Sequence, residues 1–214
     1  MSKEYWNEEY WEKHLKEHEG EKLDFLDDIW INKYSKIFEN IPRGKALDLG
    51  CGLGQYTKFM EDNKFEVTSA DISLEALNKV KENIPNTNIV QLDMSEELPF
   101  NDNEFELIVA NLSIHYFDKK TTQQLINEIK RILKPGGYFI GSVNSSKCIE
   151  FIKDHIEKIE DNYYSEPGRN IRLFDRAQFE EFFKDFETLV LEEVRIMRWN
   201  RPKDMWEFIY KVGE

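Results

Sequence analysis

Ala46-Leu47-Asp48-Leu49-Gly50-Cys51-Gly52-Leu53-Gly54-Gln55-Tyr56-Thr57 is the stretch that decides the fold. An apolar run feeds three alternating glycines, and a helix is expected to begin at about Tyr56. Without a Cβ, such a backbone turns tightly and lets a ligand come within contact distance. In an open α/β sheet the ligand crevice lies beyond the carboxyl ends of the strands, so the loop belongs there.

Similar short apolar runs recur on both sides: Val67-Thr68-Ser69-Ala70, Ile89-Val90-Gln91-Leu92, Leu107-Ile108-Val109-Ala110 and Tyr138-Phe139-Ile140-Gly141-Ser142-Val143. They read as buried strands of a mostly parallel sheet. Helical patterns separate them. Ser73 is placed to cap a helix with an apolar face of Leu74, Leu77, Val80 and Ile84, stopped by Pro85. A second stripe, Leu125, Ile129, Ile132 and Leu133, ends at Lys134-Pro135-Gly136-Gly137. Strand, helix, strand at this rhythm gives right-handed βαβ units. Thr188-Leu189-Val190-Leu191 and Trp206-Glu207-Phe208-Ile209-Tyr210 predict an antiparallel hairpin at the sheet edge. Residues 4–40 read as helical and rich in aromatics, and residues 145–175 as an irregular polar insertion of the kind that is usually functional or mobile.

The 214 residues suit one domain. No apolar run reaches the ~18–20 residues that cross a bilayer, and Met1-Ser2-Lys3-Glu4-Tyr5-Trp6 lacks a signal-peptide core. Cys51 and Cys148, far apart, make no disulfide framework, so a reducing, cytoplasmic compartment is expected. A net charge of −13 repels phosphate backbones and anionic lipid, which disfavours nucleic acid and membrane as partners.

The chemistry of the glycine loop has two readings. A dinucleotide loop spells Gly-x-Gly-x-x-Gly, but here the third glycine comes one residue early and Gln55 takes its place. Asp48, just upstream, opposes a phosphate and suits a cationic ligand. No triphosphate P-loop occurs. The next two strands end in Asp71 and Asp93, so three consecutive strands each present a carboxylate at the ligand edge. An acid at the tip of the second strand can accept both hydroxyls of an adenosine ribose. A nicotinamide oxidoreductase is left as a distant alternative.

Leu47-Asp48-Leu49-Gly50-Cys51-Gly52-Leu53-Gly54 resembles the signature loop of class I S-adenosylmethionine-dependent methyltransferases. The resemblance takes in Asp71, Asp93-Met94, Leu98-Pro99-Phe100 and Leu133-Lys134-Pro135-Gly136-Gly137 and spans roughly residues 40–145. It implies an α/β, doubly wound, Rossmann-like sheet of seven mostly parallel strands with a C-terminal antiparallel hairpin. Residues 1–40 would then form a helical lid, 41–144 the cofactor-binding core, 145–175 an insertion over the acceptor, and 176–214 a C-terminal helix and hairpin.

Position by position, the resemblance implies that the loop from Asp48 to Gly54, with Gly50, Cys51 and Gly52, holds the methionine portion of S-adenosyl-L-methionine, and that Gln55 and Tyr56 also bind the cofactor. Asp71 would take the ribose, with Ile72 on adenine and Ser73 beside it, and Asp93 and Met94 at the adenine edge. Asn111 and Leu112 would lie along the sulfonium, with His115 also touching the cofactor. Tyr10 and Trp11 favour a sulfonium by cation–π attraction, or simply dock the N-terminal segment on the core.

Methyl transfer from a sulfonium is an in-line displacement that needs orientation and exclusion of water, with no metal and no nucleophilic side chain. His115 reads as a base for the acceptor or as a packing residue, and Tyr116 as a pocket wall or a hydrogen-bond donor. His14, His18 and His155 sit among charges and read as solvated. A weaker resemblance to the small-molecule branch, tellurite-resistance-like and thiopurine-like methyltransferases, rests on His115-Tyr116-Phe117, Val143-Asn144-Ser145 and Arg172-Leu173-Phe174-Asp175. Tyr5, Trp6, Asn144, Arg169 and Arg172 are the candidates to meet the acceptor. A guanidinium at the mouth would bind an anionic acceptor or else pair with Glu166 or Asp175. The expected activity is methylation of a small molecule; the alternatives are a protein or RNA acceptor, or a non-catalytic sensor of the cofactor. Oligomeric state is not legible.

Overall fold

The computed structural model describes residues 5–11, 29–152, 156–198 and 201–213. His14, His18 and His155 lie outside the described residues. The glycine loop joins strand β1 (Lys45–Leu49) to a helix at Gln55–Asp62. Four more strands follow in parallel: β2 (Glu66–Asp71), β3 (Asn88–Gln91), β4 (Phe105–Asn111) and β5 (Leu133–Asn144). The chain ends in an antiparallel pair, β9 (Phe186–Arg198) and β10 (Arg201–Val212), with β10 also antiparallel to β5. The order across the sheet is β3-β2-β1-β4-β5-β10-β9. This is the expected doubly wound, seven-strand, mostly parallel sheet with its edge hairpin.

Central strands read as continuous apolar runs because both their faces are covered. Leu47, Leu49, Ile108 and Phe139 face one layer, built on the helix Lys119–Ile132 and on Phe179, Phe182 and Phe183. Ala46, Leu107, Val109 and Ile140 face the other, with Phe38, Tyr56, Phe59 and Met60. Along β10 the alternation continues: Phe208 and Tyr210 join the first layer and Ile209 the second.

Three local expectations are corrected. The helix Leu74–Asn83 is capped as expected, with Ala76 N donating to Ser73 Oγ at 3.2 Å, but Leu74 is 47% exposed and Ala76 takes the inward place. The long helix ends at Ile132, before Lys134-Pro135-Gly136-Gly137, because Leu133 is already extended and pairs with Phe105. Residues 145–175 are not irregular. They carry a three-stranded antiparallel sheet, β6 (Glu157–Glu160), β7 (Tyr163–Glu166) and β8 (Arg169–Arg172). In its two turns, Asp161-Asn162 and Pro167-Gly168, the second residue of each, Asn162 and Gly168, adopts positive φ, a conformation that Asn and Gly accept most readily. Among the described residues no helix is long and apolar enough to cross a membrane.

Candidate active site

A cavity of about 640 Å³ opens where the carboxyl ends of β1, β2, β3, β4 and β5 meet. Its size falls within the range of roughly 300–1,000 Å³ typical of small-ligand sites. The glycine loop forms its floor. Gly50, at φ +78°, leaves no room for a side chain, since a Cβ there would stand 2.3 Å from the Ser113 Cβ. Ser113 itself donates to Leu49 O at 2.6 Å, so the loop after β4 is clamped onto the end of β1. Gly52 faces the indole of Trp11, 3.1 Å from where its Cβ would be. Gly54 lies away from the cavity wall: it starts the helix at φ +89° and lets Val80 and Ile84 pack close.

The three strand-end acids are held differently. Asp48 is buried and accepts from Thr57 Oγ1 at 2.7 Å. Burial pushes its carboxyl up to about 7, against the Thr57 hydrogen bonds and with help from the Asp71 charge. Asp71 accepts from Gly52 N at 3.0 Å and Ser73 N at 2.9 Å, and burial raises it as well. These bonds tie the glycine loop to the second strand. Ser73 is occupied with helix capping and does not reach the wall, whereas Ile72 does. Asp93 accepts from Ser95 N at 2.9 Å and Ser95 Oγ at 2.7 Å through one oxygen, beside Met94. Cys51 lines the cavity with its thiol held well above its usual range by burial, so it stays protonated. Gln55 and Tyr56 complete this half.

The middle of the cavity is the turn after β4. Leu112 adopts φ +55°, a left-handed conformation costly for a branched side chain, and is fixed by Leu112 N donating to Ser142 O at 2.9 Å. Asn111 Oδ1 accepts from Trp30 Nε1 at 3.2 Å and Ser142 Oγ at 2.6 Å. His115, 2% exposed, has its ring 4.3 Å from that of Tyr116, and both line the cavity.

An aromatic roof covers this edge. The turn Tyr5–Trp11 lays Trp6 edge-on to Tyr116 at 5.1 Å, and Tyr10 edge-on to Trp11 at 5.0 Å. Trp6, Tyr10 and Trp11 face the cavity. Tyr5 does not: it packs on Gly168, where a Cβ would stand 2.4 Å from its ring, and buttresses Trp6.

Of the two arginines expected at the mouth, the structure brings one. Arg169 lines the cavity, its guanidinium 5.6 Å over the Tyr116 ring and its Nε donating to Glu166. Arg172 is fully buried outside the cavity wall. It donates to Phe117 O at 3.0 Å and Asp161 O at 3.4 Å, pairs with Glu160, and lies 5.1 Å over Tyr163. Its place is therefore that of a brace fastening the small sheet to the turn after β4. Asp175 caps the helix Arg176–Phe182 and is free of both arginines. Asn144, 6% exposed at the end of β5, lines the cavity with an Oδ1 that has no hydrogen-bond partner among the described residues.

Sequence reasoning missed several wall residues: Ser113, Phe117, Asp118, Tyr163 on β7 and Lys203 on β10. Tyr163 was within reach of a reader, because Asp161-Asn162 and Pro167-Gly168 are hairpin signals. Lys203 carried no local signal; it arrives through the pairing that sets Met205 against Asn144.

The chain is similar to known proteins in both sequence and fold. Residues 47–141 match the family model described as methyltransferase domain. An uncharacterized methyltransferase of Synechocystis sp. is 38% identical over 98 residues, 46% of each chain. The mitochondrial arginine-hydroxylase NDUFAF5 of Homo sapiens is 34% identical over 129 residues, 58% of this chain and 36% of that protein. The chain thus spans less than half the length of either relative. Among solved structures, an S-adenosylmethionine-dependent methyltransferase of Methanosarcina mazei superposes with a TM-score of 0.73 at 17% identity, covering 83% of this chain and 97% of that one, which is a likeness of fold. Residues 47–141 thus match the methyltransferase domain family, and they lie in a sheet with the fold of solved S-adenosylmethionine-dependent methyltransferases.

Proposed function

We propose that the chain transfers the methyl group of S-adenosylmethionine to a small-molecule acceptor. The observation that carries this reading is the joint cavity. The glycine loop with Asp48, Asp71 and Asp93 lies on one side, His115 and Tyr116 stand in the middle, and Trp6, Tyr10 and Trp11 cover the top. The donor set fits the cofactor: carboxylates for its ribose and ammonium, close backbone for its chain, and electron-rich rings for its charge.

When bound, the cofactor supplies an electrophilic methyl on a sulfonium. The chain's share is to orient and to exclude water. Asp71 accepts the ribose hydroxyls, Asp93 and Met94 hold the adenine edge, and Ile72 packs on the ring. Asn111 and Leu112 fix the turn alongside the reacting centre, and the aromatic roof keeps water out. His115 takes the proton that the acceptor atom loses, with Tyr116 holding that atom in line. An acceptor small enough to lie under this roof is the one the cavity suits.

Calorimetric titration of the purified protein with S-adenosylmethionine, S-adenosylhomocysteine and NAD in parallel tests the reading. Binding of the first two and not of NAD is expected, followed by methyl release in a small-molecule acceptor screen that His115→Gln reduces at least ~10-fold. Binding of NAD alone overturns it. Methylation of a protein or RNA with no small-molecule turnover moves the acceptor to the macromolecular class.

A further inference from the structure

We propose that the methyl acceptor is an anionic small molecule, received by the Arg169 guanidinium and the Lys203 ammonium, that also offers an O–H or N–H donor to Asn144 Oδ1. This rests on the reading of the cavity as a methyltransferase site and names the class of its substrate.

Charge is partitioned across the cavity by the strand order. Asp93, Asp71 and Asp48 end β3, β2 and β1, which are successive neighbours on one side of β4. On the other side, β5 brings Asn144 and the adjacent β10 brings Lys203, while β8 of the small sheet brings Arg169. The acidic half is the one the cationic cofactor needs, and the turn carrying His115 and Tyr116 divides the two. Whatever receives the methyl lies beyond that turn, among the cations. The remaining acid there, Asp118, caps the helix Lys119–Ile132 by accepting from Thr121 N at 2.7 Å, and it sits within the field of Arg172.

Arg169 is arranged for a ligand. Its Nε edge is engaged by Glu166 and its plane lies over Tyr116, which fixes the guanidinium in a cavity wall while its terminal nitrogens have no hydrogen-bond partner assigned among the described residues. A planar guanidinium held this way matches a carboxylate or phosphate edge. In a chain of net charge −13, two cations on one side of the cavity offset there the field that would otherwise repel an anion. Asn144 Oδ1 adds the second requirement: buried carbonyl oxygens in folded proteins are almost always hydrogen-bonded, so this one awaits a donor.

The test uses the full chain saturated with S-adenosylhomocysteine and ligand-observed NMR titration with matched probes. These are 4-hydroxybenzoate and 3-hydroxybutyrate, their amides, their phosphate-bearing counterparts, and benzoate and butyrate, which lack the hydroxyl. The acids or phosphates are expected to bind, with the amides at least ~10-fold weaker and benzoate and butyrate weaker than their hydroxy forms. Preference between the acid and phosphate arms assigns the anion. Arg169→Gln is expected to lose about tenfold in acid or phosphate affinity, Arg169→Lys less, and Lys203→Met several-fold, all with S-adenosylhomocysteine affinity unchanged. Added salt is expected to weaken the anionic probes alone. Equal binding of acids and amides, no anionic probe binding to the loaded protein, or no effect of Arg169→Gln overturns the proposal. So does weakened S-adenosylhomocysteine binding in the Arg169 or Lys203 variants, which would give the cations to the cofactor's own carboxylate. Failure of the unaltered protein to bind S-adenosylhomocysteine strikes the underlying reading instead.

Discussion

Lowering the pH from 8 to 6 is expected to weaken cofactor binding about tenfold, through one buried side chain. Asp48 lies under the glycine loop with its carboxyl pushed up to about 7 by burial. In the ligand-free protein it is therefore about nine-tenths ionised at pH 8 and about one-tenth ionised at pH 6. A cationic ligand beside it binds the ionised form, so affinity follows that fraction: nearly flat above pH 8, falling toward tenfold per unit below 6. Binding at pH 6 must release close to one proton, which calorimetry reads as a dependence of the apparent enthalpy on the buffer's heat of ionisation.

The same group makes an opposite demand on the empty protein. Between the ordinary carboxyl value of 3.8 and about 7, the folded state holds a proton on Asp48 and the unfolded state does not. Its stability contribution is present at low pH and is lost as pH rises through that window, by up to about 1.4 kcal/mol per unit. Ligand should thus raise the melting temperature more at pH 8 than at pH 6. Asp48→Asn, which mimics the protonated form, should flatten both profiles and bind weakly at pH 8. A flat affinity from pH 6 to 8 with no proton release would refute the reasoning, because it would mean that Asp48 keeps one protonation state whether or not a cation lies beside it.

Asp71→Ala should weaken S-adenosylhomocysteine binding by ~10-fold or more and also lower the melting temperature, since the Gly52 and Ser73 N–H groups lose their acceptor; unchanged affinity would remove Asp71 from the ribose. Gly50→Ala should cost about 2–4 kcal/mol in urea unfolding, from a positive φ and contact with Ser113, and Ser113→Gly should recover part of it; a loss below about 0.5 kcal/mol in Gly50→Ala would show that the clamp is soft. Arg172→Met should destabilise by about 1–3 kcal/mol, because the Phe117 and Asp161 carbonyls lose a buried donor, while S-adenosylhomocysteine affinity persists. A variant of full stability that fails to bind anionic acceptors would return Arg172 to the mouth.

The cofactor half of the cavity was legible because its determinants are local. Leu47 to Gly54 states in eight residues both a buried strand and a loop that must be approached closely, and the Asp ending each strand needs only the strand to be recognised. Ser73 was readable as a cap by the same logic, and the structure uses it as one. The acceptor half is built by long-range pairing, and local pattern does not carry that. Lys203 reaches the wall only because β10 inserts between β5 and β9, and Trp30 reaches Asn111 across 81 residues of chain. The two arginines make the contrast plainest. Arg169 and Arg172 lie on one four-residue strand, β8, where i and i+3 point to opposite faces. Read as residues of one irregular polar insertion they were equivalent. Once Pro167-Gly168 is seen as a hairpin turn, strand alternation alone sends one guanidinium to the cavity and the other into the packing against Tyr163 and Phe182. The signal was present in the sequence, and what it required was the period of a strand in place of the absence of any.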